Sequence, residues 1–224
     1  MPGRQAIIWI VDDDSAVRVS LDSLLRAKGY RVHTFESAWA FLQSEIPDEP
    51  GCLLLDILMP EMNGLDLQDE LRKAAINIPI IFITAHGDIP NSVRAMKAGA
   101  EEFLTKPFRH QDLFDVIERA LNSDLVRRKE RAEGMELRRR YQSLTPRERE
   151  IMQLVVSGLL NKQTASELGI SEKTVKFHRA RATQKMGAGS LAELVRMSEK
   201  LGRIEVKKFV VESSIRATKL PSGK

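Results

Sequence analysis

The chain has 224 residues, of which 42% are hydrophobic and 29% are charged; it has one cysteine and a formal net charge of +4. This composition is typical of a folded globular protein and argues against a disordered chain. A lone cysteine excludes an intramolecular disulfide. Because no apolar run approaches the ~20 residues of a membrane span, we expect a cytoplasmic protein with no membrane partner.

Charge is distributed unevenly along the chain. Residues 1–122 carry 12 basic and 19 acidic residues, whereas residues 123–224 carry 23 basic and 12 acidic residues. A basic half suggests a polyanionic partner, most simply nucleic acid, although a charge bias alone more often reflects a solvated surface. The two halves are therefore predicted to have different partners.

Short apolar runs alternate with segments of helical period over residues 6–122. The candidate strands are AIIWIV, YRVHTF, CLLLD, IPIIFIT and EEFLT. The expected caps are Ser37 and Asn63 at helix starts and Gly29 and Gly99 at helix ends. The right-handed crossover rule converts this order into a doubly wound (βα)5 parallel sheet, which we assign to residues 1–122.

The remainder of the chain is predicted to be helical. Residues 123–142 form a charged helical linker, bent or broken near Gly134, and residues 143–202 form an all-α domain of four helices. The predicted caps of these four helices are Thr145 with Glu148, Asn161, Ser171, and Ser190 with Glu193. Residues 203–224 are predicted to be a basic, mobile tail.

Polar residues end four of the predicted strands, at Asp12-Asp13-Asp14, Asp56, Thr84 and Lys106. In a parallel sheet these ends share one edge, so the side chains should converge. Clustered carboxylates favour a divalent cation with oxygen ligands, for which Mg²⁺ fits best. A lysine and a hydroxyl facing such a cation suit phosphoryl transfer to a carboxylate nucleophile, Asp56. Each residue alone would more often be an ordinary loop, cap or surface residue.

Residues 6 to about 122 resemble the receiver domain of two-component response regulators. The resemblance is carried by four motifs in this order: IVDDD, LLLDILMPEMNGLDL, FITAHGD and AMKAGAEEFLTKPF. Their amino-acid sequences are most similar to those of the FixJ-like group. The resemblance implies that Asp56 accepts a phosphoryl group from a sensor histidine kinase. It also implies that Mg²⁺ is held by Asp13, Asp56, the Leu58 carbonyl and, through a water molecule, Asp12. Thr84 and Lys106 would bind phosphoryl oxygens, and Phe103 would be an aromatic switch.

The basic half contains a helix-turn-helix pattern in NKQTASELGISEKTVKFHRA. Ala165 allows close helix approach, Gly169 permits the turn, and Val175 anchors the second helix. Lys173, Lys176 and Arg179 recur every three residues opposite an apolar row. A basic row is usually only a solvated face, but here it begins at a helix N-terminus, where major-groove readers contact bases.

The stretch from LTPREREIM to ELVRM is similar to the LuxR-type DNA-binding domain. The resemblance implies a recognition helix from about Glu172 to Met186 and a dimerisation helix from Leu191 to Leu201. It places Lys176 and Phe177 at base-contacting positions and Thr174, Arg179 and Lys185 near phosphates. Ala180 departs from the lysine of some relatives.

We therefore expect a response regulator that is phosphorylated on Asp56, dimerises, binds double-stranded promoter DNA and regulates transcription, in the sense of activation, with RNA polymerase as a further partner. No enzymatic activity is expected beyond self-phosphorylation from a phosphodonor and slow loss of the phosphoryl group. Two alternatives stay open. One is a phosphorylation-independent DNA-binding regulator with a decayed receiver, against which the intact acidic set argues, and the other is a Mg²⁺-dependent phosphohydrolase.

Overall fold

The computed structural model describes residues 6–85 and 89–202, except for the side chains of 89–92, so the predicted tail 203–224 lies outside the described residues. The chain divides between Arg128 and Lys129 into two compact units, here called the N-terminal and C-terminal units. The domain boundaries at 122, 142 and 202 remain predictions. Within the described ranges no helix is long and apolar enough to cross a membrane.

The N-terminal unit is built on one parallel sheet with the strand order β2-β1-β3-β4-β5. Its strands are β1 (Ile7–Val11), β2 (Arg31–Phe35), β3 (Gly51–Leu55), β4 (Ile80–Thr84) and β5 (Glu102–Thr105). The helices that connect or follow them are α1 (Ser15–Lys28), α2 (Ala38–Leu42), α3 (Gly64–Lys73), α4 (Ile89–Lys97) and α5 (His110–Gln142). The predicted doubly wound (βα)5 fold is confirmed.

The burial of each strand matches its position in the sheet. Every residue of β1, β3 and β4 is buried, because these apolar strands are covered on both faces, whereas β2, at the sheet edge, has only Val32 fully buried. One apolar core contains Phe41, Leu67 and Phe82 on one face of the sheet, and a second contains Leu25 and Ile117 on the other. The sheet is therefore held between two helical layers.

The helix caps in this unit follow the sequence. The side chains of Ser37 and Asn63 accept the N–H groups of Ala40 and Asp66 at the starts of α2 and α3. Gly29 ends α1 with φ 97°, and Gly99 follows α4 with φ 94°. These left-handed conformations favour glycine, which lacks the Cβ atom that would strain them.

Helix α5 runs from His110 through Gln142 without a break, so the predicted break near Gly134 is wrong. A glycine inside a helix costs only about 1 kcal/mol relative to alanine. Nearby contacts offset that cost, because Glu136 binds Arg139 and Arg140 along the helix and Leu137 is buried in a core of the C-terminal unit. The C-terminal half of α5 is thus part of a packed unit and more than a spacer.

Up to residue 202, where the described part ends, the C-terminal unit adds four helices, as predicted: α6 (Pro146–Val156), α7 (Asn161–Leu168), α8 (Glu172–Met186) and α9, described over 191–202. Thr145 and Glu148 form the predicted capping box, and Ser171 caps α8 through the N–H of Thr174. At the start of α9, Ser190 accepts the N–H of Glu193 as predicted, but the Glu193 carboxylate binds the N–H of Gly189.

Asn161 is not the cap of α7, as the sequence predicted. It is the first helical residue, and Leu160 occupies the cap position, where its N–H donates to Gln163 Oε1 at 2.8 Å. The Asn161 side chain instead accepts a hydrogen bond from Arg179 of α8 at 3.0 Å. The Asn161 amide therefore bonds to Arg179 of another helix instead of capping α7.

Candidate functional site

The carboxyl ends of β1, β3, β4 and β5 bring the predicted acidic-site residues together at one edge of the sheet. Asp12 follows β1, Asp56 follows β3, Thr84 ends β4, and Lys106 lies one residue beyond β5. Parallel pairing keeps these ends level, because β1 Val11 is in register with β3 Leu55. The convergence is thus a consequence of strand register.

Lys106 links the two buried carboxylates. Its Nζ lies 2.7 Å from Asp12 Oδ2 and 3.6 Å from Asp56 Oδ2. The lysine side chain is 21% exposed, while Asp12 and Asp56 are 3% and 11% exposed. Because charges interact more strongly away from water, this ammonium offsets much of the repulsion between the two acids.

Asp56 is placed where its ionised form is costly. Burial raises the pKa of Asp56 above its ordinary value, and the Asp12 carboxylate raises it further, while Lys106 and the N–H groups of Leu58 and Ile57 act in the opposite direction. The Asp56 backbone is fixed by an N–H donated to the Val11 carbonyl at 2.9 Å. A rigid carboxylate in a partly dry site is suited to act as a nucleophile once its charge is compensated.

The carboxylates also have the spacing of a cation site. Asp12, Asp13 and Asp56 each contribute an oxygen, and these atoms all lie within 4.8 Å of one another. Opposite ligands of an octahedral Mg²⁺ are about 4.1 Å apart, given Mg–O distances of about 2.0–2.1 Å. Asp13 is exposed to solvent, which suits an ion that retains waters. The residues present therefore fit Mg²⁺ with sub-ångström adjustment.

Two residues that support this site were missed by the sequence reasoning. Arg18 of α1 donates to the carbonyls of Asp12 at 2.7 Å and Asp13 at 3.0 Å, which holds the acidic loop. Gly64 abuts Asp56 so closely that a Cβ there would lie 2.2 Å from the Asp56 carbonyl oxygen. The glycine after Asn63 was an available signal for close backbone approach, whereas nothing in the local pattern marks Arg18.

Thr84 and Phe103 lie on neighbouring strands. Thr84 is fully buried, and its carbonyl accepts the N–H of Lys106 at 2.8 Å. Phe103 is partly buried, packs against the core that contains Phe82, and pairs with Phe82 across β4 and β5. Thr84 is therefore linked to Lys106 by a backbone hydrogen bond, while Phe103 lies on the adjacent strand β5. Leu58, the predicted carbonyl ligand, lies just beyond Asp56, and its side chain is 53% exposed.

The basic residues predicted to bind DNA lie on α8. Val175, Ala182 and Met186 are buried along one side of the helix. The basic residues Lys173 and Lys176 are exposed, as is Phe177 at 55%. Because α8 carries five basic residues against one acidic residue, its outward side is suited to a polyanion. The turn before α8 is formed as predicted, with Ala165 and Val175 buried and Gly169 at φ 64°.

Three of the predicted DNA-binding residues also make contacts within the C-terminal unit. Thr174 Oγ1 lies 2.8 Å from Ser171 Oγ at the start of α8, and Arg179 donates to Asn161. Lys185 Nζ lies 2.6 Å from Glu148 Oε2. Burial alone would raise the pKa of Glu148, but the Lys185 ammonium and the Thr145 N–H outweigh it and hold that pKa below its ordinary value. Much of the Lys185 charge is therefore balanced inside the unit.

The chain matches two family models. Residues 8–118 match the response regulator receiver domain, and residues 142–198 match the luxR family of bacterial regulatory proteins. Nodulation protein W of Bradyrhizobium diazoefficiens is 50% identical over 198 residues, covering 88% of this chain and 87% of that protein. The response regulator TmoT of Ectopseudomonas mendocina is 48% identical, covering 90% and 91%. FixJ of Rhizobium meliloti is 43% identical, covering 85% and 94%.

Solved structures agree with these sequence matches. The response regulator StyR is 50% identical, with a TM-score of 0.79 over 87% of this chain and 98% of that chain. Full-length FixJ from B. japonicum is 40% identical, with a TM-score of 0.54 over 88% and 98%. The similarity thus extends over both units.

Proposed function

The chain belongs to the two-component response regulators that join a receiver domain to a LuxR-type DNA-binding domain, and from this premise we propose that Asp56 is its phosphoacceptor. Phosphorylation-dependent regulation of transcription is the function of this family, so the chain is a regulator and not a classical enzyme. The proposal for Asp56 rests above all on one observation, the Lys106 ammonium between Asp12 and Asp56 at 2.7 and 3.6 Å.

In the proposed reaction an Asp56 carboxylate oxygen attacks the phosphorus of a phosphohistidine on a sensor histidine kinase. The new bond is the P–O bond of an acyl phosphate, and the P–N bond to the imidazole breaks, leaving a neutral histidine once it is protonated. Lys106, 3.6 Å from Asp56, is positioned to pair with an oxygen of the transferred group. Asp12, the present partner of Lys106, is one of the groups that would hold Mg²⁺.

Asp12, Asp13, Asp56 and the carbonyl of Leu58 are the groups that we propose hold Mg²⁺. When bound, the ion supplies charge neutralisation for the incoming phosphoryl oxygens and for the acidic cluster. The spacing of the three carboxylates within 4.8 Å supports this assignment. A bound Mg²⁺ would also explain how two buried acids, Asp12 and Asp56, can share one lysine, Lys106.

Thr84 and Phe103 are proposed to carry the signal away from Asp56. The Thr84 hydroxyl would donate to a phosphoryl oxygen, and the backbone bond from Lys106 to Thr84 couples the ends of β4 and β5. Phe103, already partly exposed, would rotate inward as Thr84 shifts. Phosphorylation would thus change the population of an existing alternative state.

The output is proposed to come from α8 as a recognition helix in the major groove of promoter DNA. Lys173, Lys176 and Phe177 have the exposure that DNA contact requires, and Arg179 is partly exposed beside Asn161. Thr174 and Lys185 would contribute at phosphates, Lys185 less strongly because Glu148 binds it. A phosphorylation-dependent homodimer would present two such helices to a two-fold site, and RNA polymerase would be the further partner for activation.

Intact mass spectrometry after incubation with acetyl phosphate and Mg²⁺ tests the phosphoacceptor. Wild type should gain one phosphoryl group, Asp56→Ala should gain none, and Asp66→Ala, an exposed acid on α3, should behave as wild type. The same samples are then sized and titrated with DNA. An adduct on Asp56→Ala would refute the assignment, and equal DNA affinity with and without phosphorylation would favour the phosphorylation-independent regulator.

A further inference from the structure

Phe177 is an aromatic side chain in an otherwise charged, outward-facing part of α8. It is 55% exposed, while the other large apolar residues of the helix, Val175 and Met186, are fully buried. With 3.6 residues per turn, Phe177 points away from the side that carries Val175 and Ala182. The ring therefore has no part in the core of the C-terminal unit.

Arg181 lies one turn further along α8 and holds the Phe177 ring. Its guanidinium carbon is 5.0 Å from the ring centroid, within the range of a cation–π contact. The His178 ring meets the same phenyl group edge-on, with centroids 5.3 Å apart. Phe177 is thus restrained on two sides while more than half of it stays exposed, an arrangement that reduces the entropy lost when the ring contacts a partner.

We propose that Phe177 reads the 5-methyl group of a thymine in the major groove and that Arg181 is a positioning residue that orients the ring for this contact. The inference rests on the proposed insertion of α8 into DNA. The chemistry selects the base, because a phenyl ring has no hydrogen-bond donor or acceptor. Among the base edges exposed in the major groove, only thymine offers an apolar group, its methyl.

The surroundings of Phe177 favour DNA over a protein partner. Exposed Lys173 precedes it by one turn, exposed Lys176 is adjacent, and exposed Arg181 follows it by one turn. A partner that contacts a ring surrounded by cations must supply both negative charge and an apolar group. DNA supplies both at every thymine, through its phosphates and the thymine methyl group. The lysines would anchor the helix, and the ring would add discrimination between sequences.

The experiment uses the full-length protein, phosphorylated with acetyl phosphate, to select binding sites from duplexes with a random central segment. Each thymine of the strongest selected duplex is then replaced singly by uracil, which removes only the methyl group. Wild type should lose about fourfold in affinity at one thymine of each half-site, the factor associated with burying one methyl group. Phe177→Ala should bind more weakly overall and be indifferent to uracil at that position.

Arg181→Lys tests the positioning role, because it keeps the positive charge but loses the planar guanidinium. Its thymine-to-uracil ratio at that base should fall toward one, while the salt dependence of its binding should match wild type. Arg72→Lys, an exposed change on α3, is the matched control and should keep the fourfold ratio. Circular dichroism of each variant checks that the unit is folded.

Three results would overturn the inference. Wild-type affinity that is unchanged by uracil at every thymine would exclude methyl reading, and a retained methyl preference in Phe177→Ala would assign it to another residue. A full fourfold ratio in Arg181→Lys would remove Arg181 from the positioning role. Failure to enrich any sequence, with Asp56 still phosphorylated, would instead refute the proposed DNA contacts of α8 as a whole.

Discussion

Gly64→Ala offers a direct test of whether the geometry around Asp56 controls phosphorylation. The added Cβ would lie 2.2 Å from the Asp56 carbonyl oxygen and 3.1 Å from the Ile57 Cα. A comfortable carbon–oxygen contact is about 3.3 Å, so the Asp56 backbone must move by about 1 Å. The Gly64 N–H also donates to the Ile57 carbonyl at 2.9 Å, which leaves little room for α3 to move away instead.

Two magnitudes follow for Gly64→Ala. Overpacking should lower the free energy of unfolding by about 1–3 kcal/mol, and up to about 1 kcal/mol of this is offset by the better helix propensity of alanine. A misplacement of about 1 Å in a reacting group can reduce rate by about 100-fold. Phosphorylation should therefore suffer far more than stability.

The assay is the initial rate of labelling by acetyl phosphate with Mg²⁺, followed by intact mass, with urea unfolding of the same samples. Gly99→Ala is the matched control, because Gly99 has φ 94° and open space around its Cβ position. It should cost about 1–2 kcal/mol from backbone strain and leave the labelling rate near wild type. Wild-type labelling of Gly64→Ala, or an equal loss in both variants, would refute the geometric explanation.

Three further predictions concern stability. Lys185→Met should lower the free energy of unfolding of the C-terminal unit at pH 7 by about 1–3 kcal/mol, the cost of leaving the buried Glu148 carboxylate without its partner. The pKa of Glu148 is lowered from 4.5, so this stabilisation is present above pH 4.5 and is lost as pH falls through the pKa of the folded state. In urea unfolding, the difference in free energy of unfolding between wild type and Lys185→Met should therefore be smaller at pH 4 than at pH 7. The same difference at both pH values would contradict the pairing. Leu137→Ala should cost about 2–5 kcal/mol in the same unit without changing acetyl-phosphate labelling, whereas an unchanged unfolding curve would mean that this half of α5 is only a spacer. Arg128→Ala should destabilise the N-terminal unit by about 3 kcal/mol, since it leaves Asp124, 1% exposed, without its 2.7 Å partner. Adding Asp124→Asn should recover part of that loss, and additive effects in denaturant unfolding would exclude the coupling.

The sequence alone carried most of the fold because its signals are local and repeated. Short apolar runs such as Leu53 to Leu55, closed by turn residues, favour strands covered on both faces, and glycines such as Gly29 mark where helices end. Once the alternation of strands and helices is recognised, the right-handed crossover rule favours a doubly wound parallel sheet, and any such sheet brings Asp12, Asp56 and Lys106 to one edge. The acidic site could therefore be predicted before any distance was known.

Local signals failed where a distant partner competes for the same group. Asn161 has the chemistry of a cap, yet Arg179 binds its amide, and Gly134 has the chemistry of a helix break, yet packing of Leu137 carries α5 past it. A tertiary contact of a few kcal/mol outweighs a local preference of about 1 kcal/mol.

The sequence by itself thus determined which residues form strands and helices and which acids share the sheet edge, because residue period and strand direction are properties of neighbours along the chain. Only the tertiary structure decided that Arg18 and Gly64 support that edge, that half of α5 belongs to the C-terminal unit, and that Arg181 stacks on Phe177. Most of these depend on atoms brought together from separate elements, and the Arg181 contact depends on side-chain rotamers. Sequence spacing does not encode either.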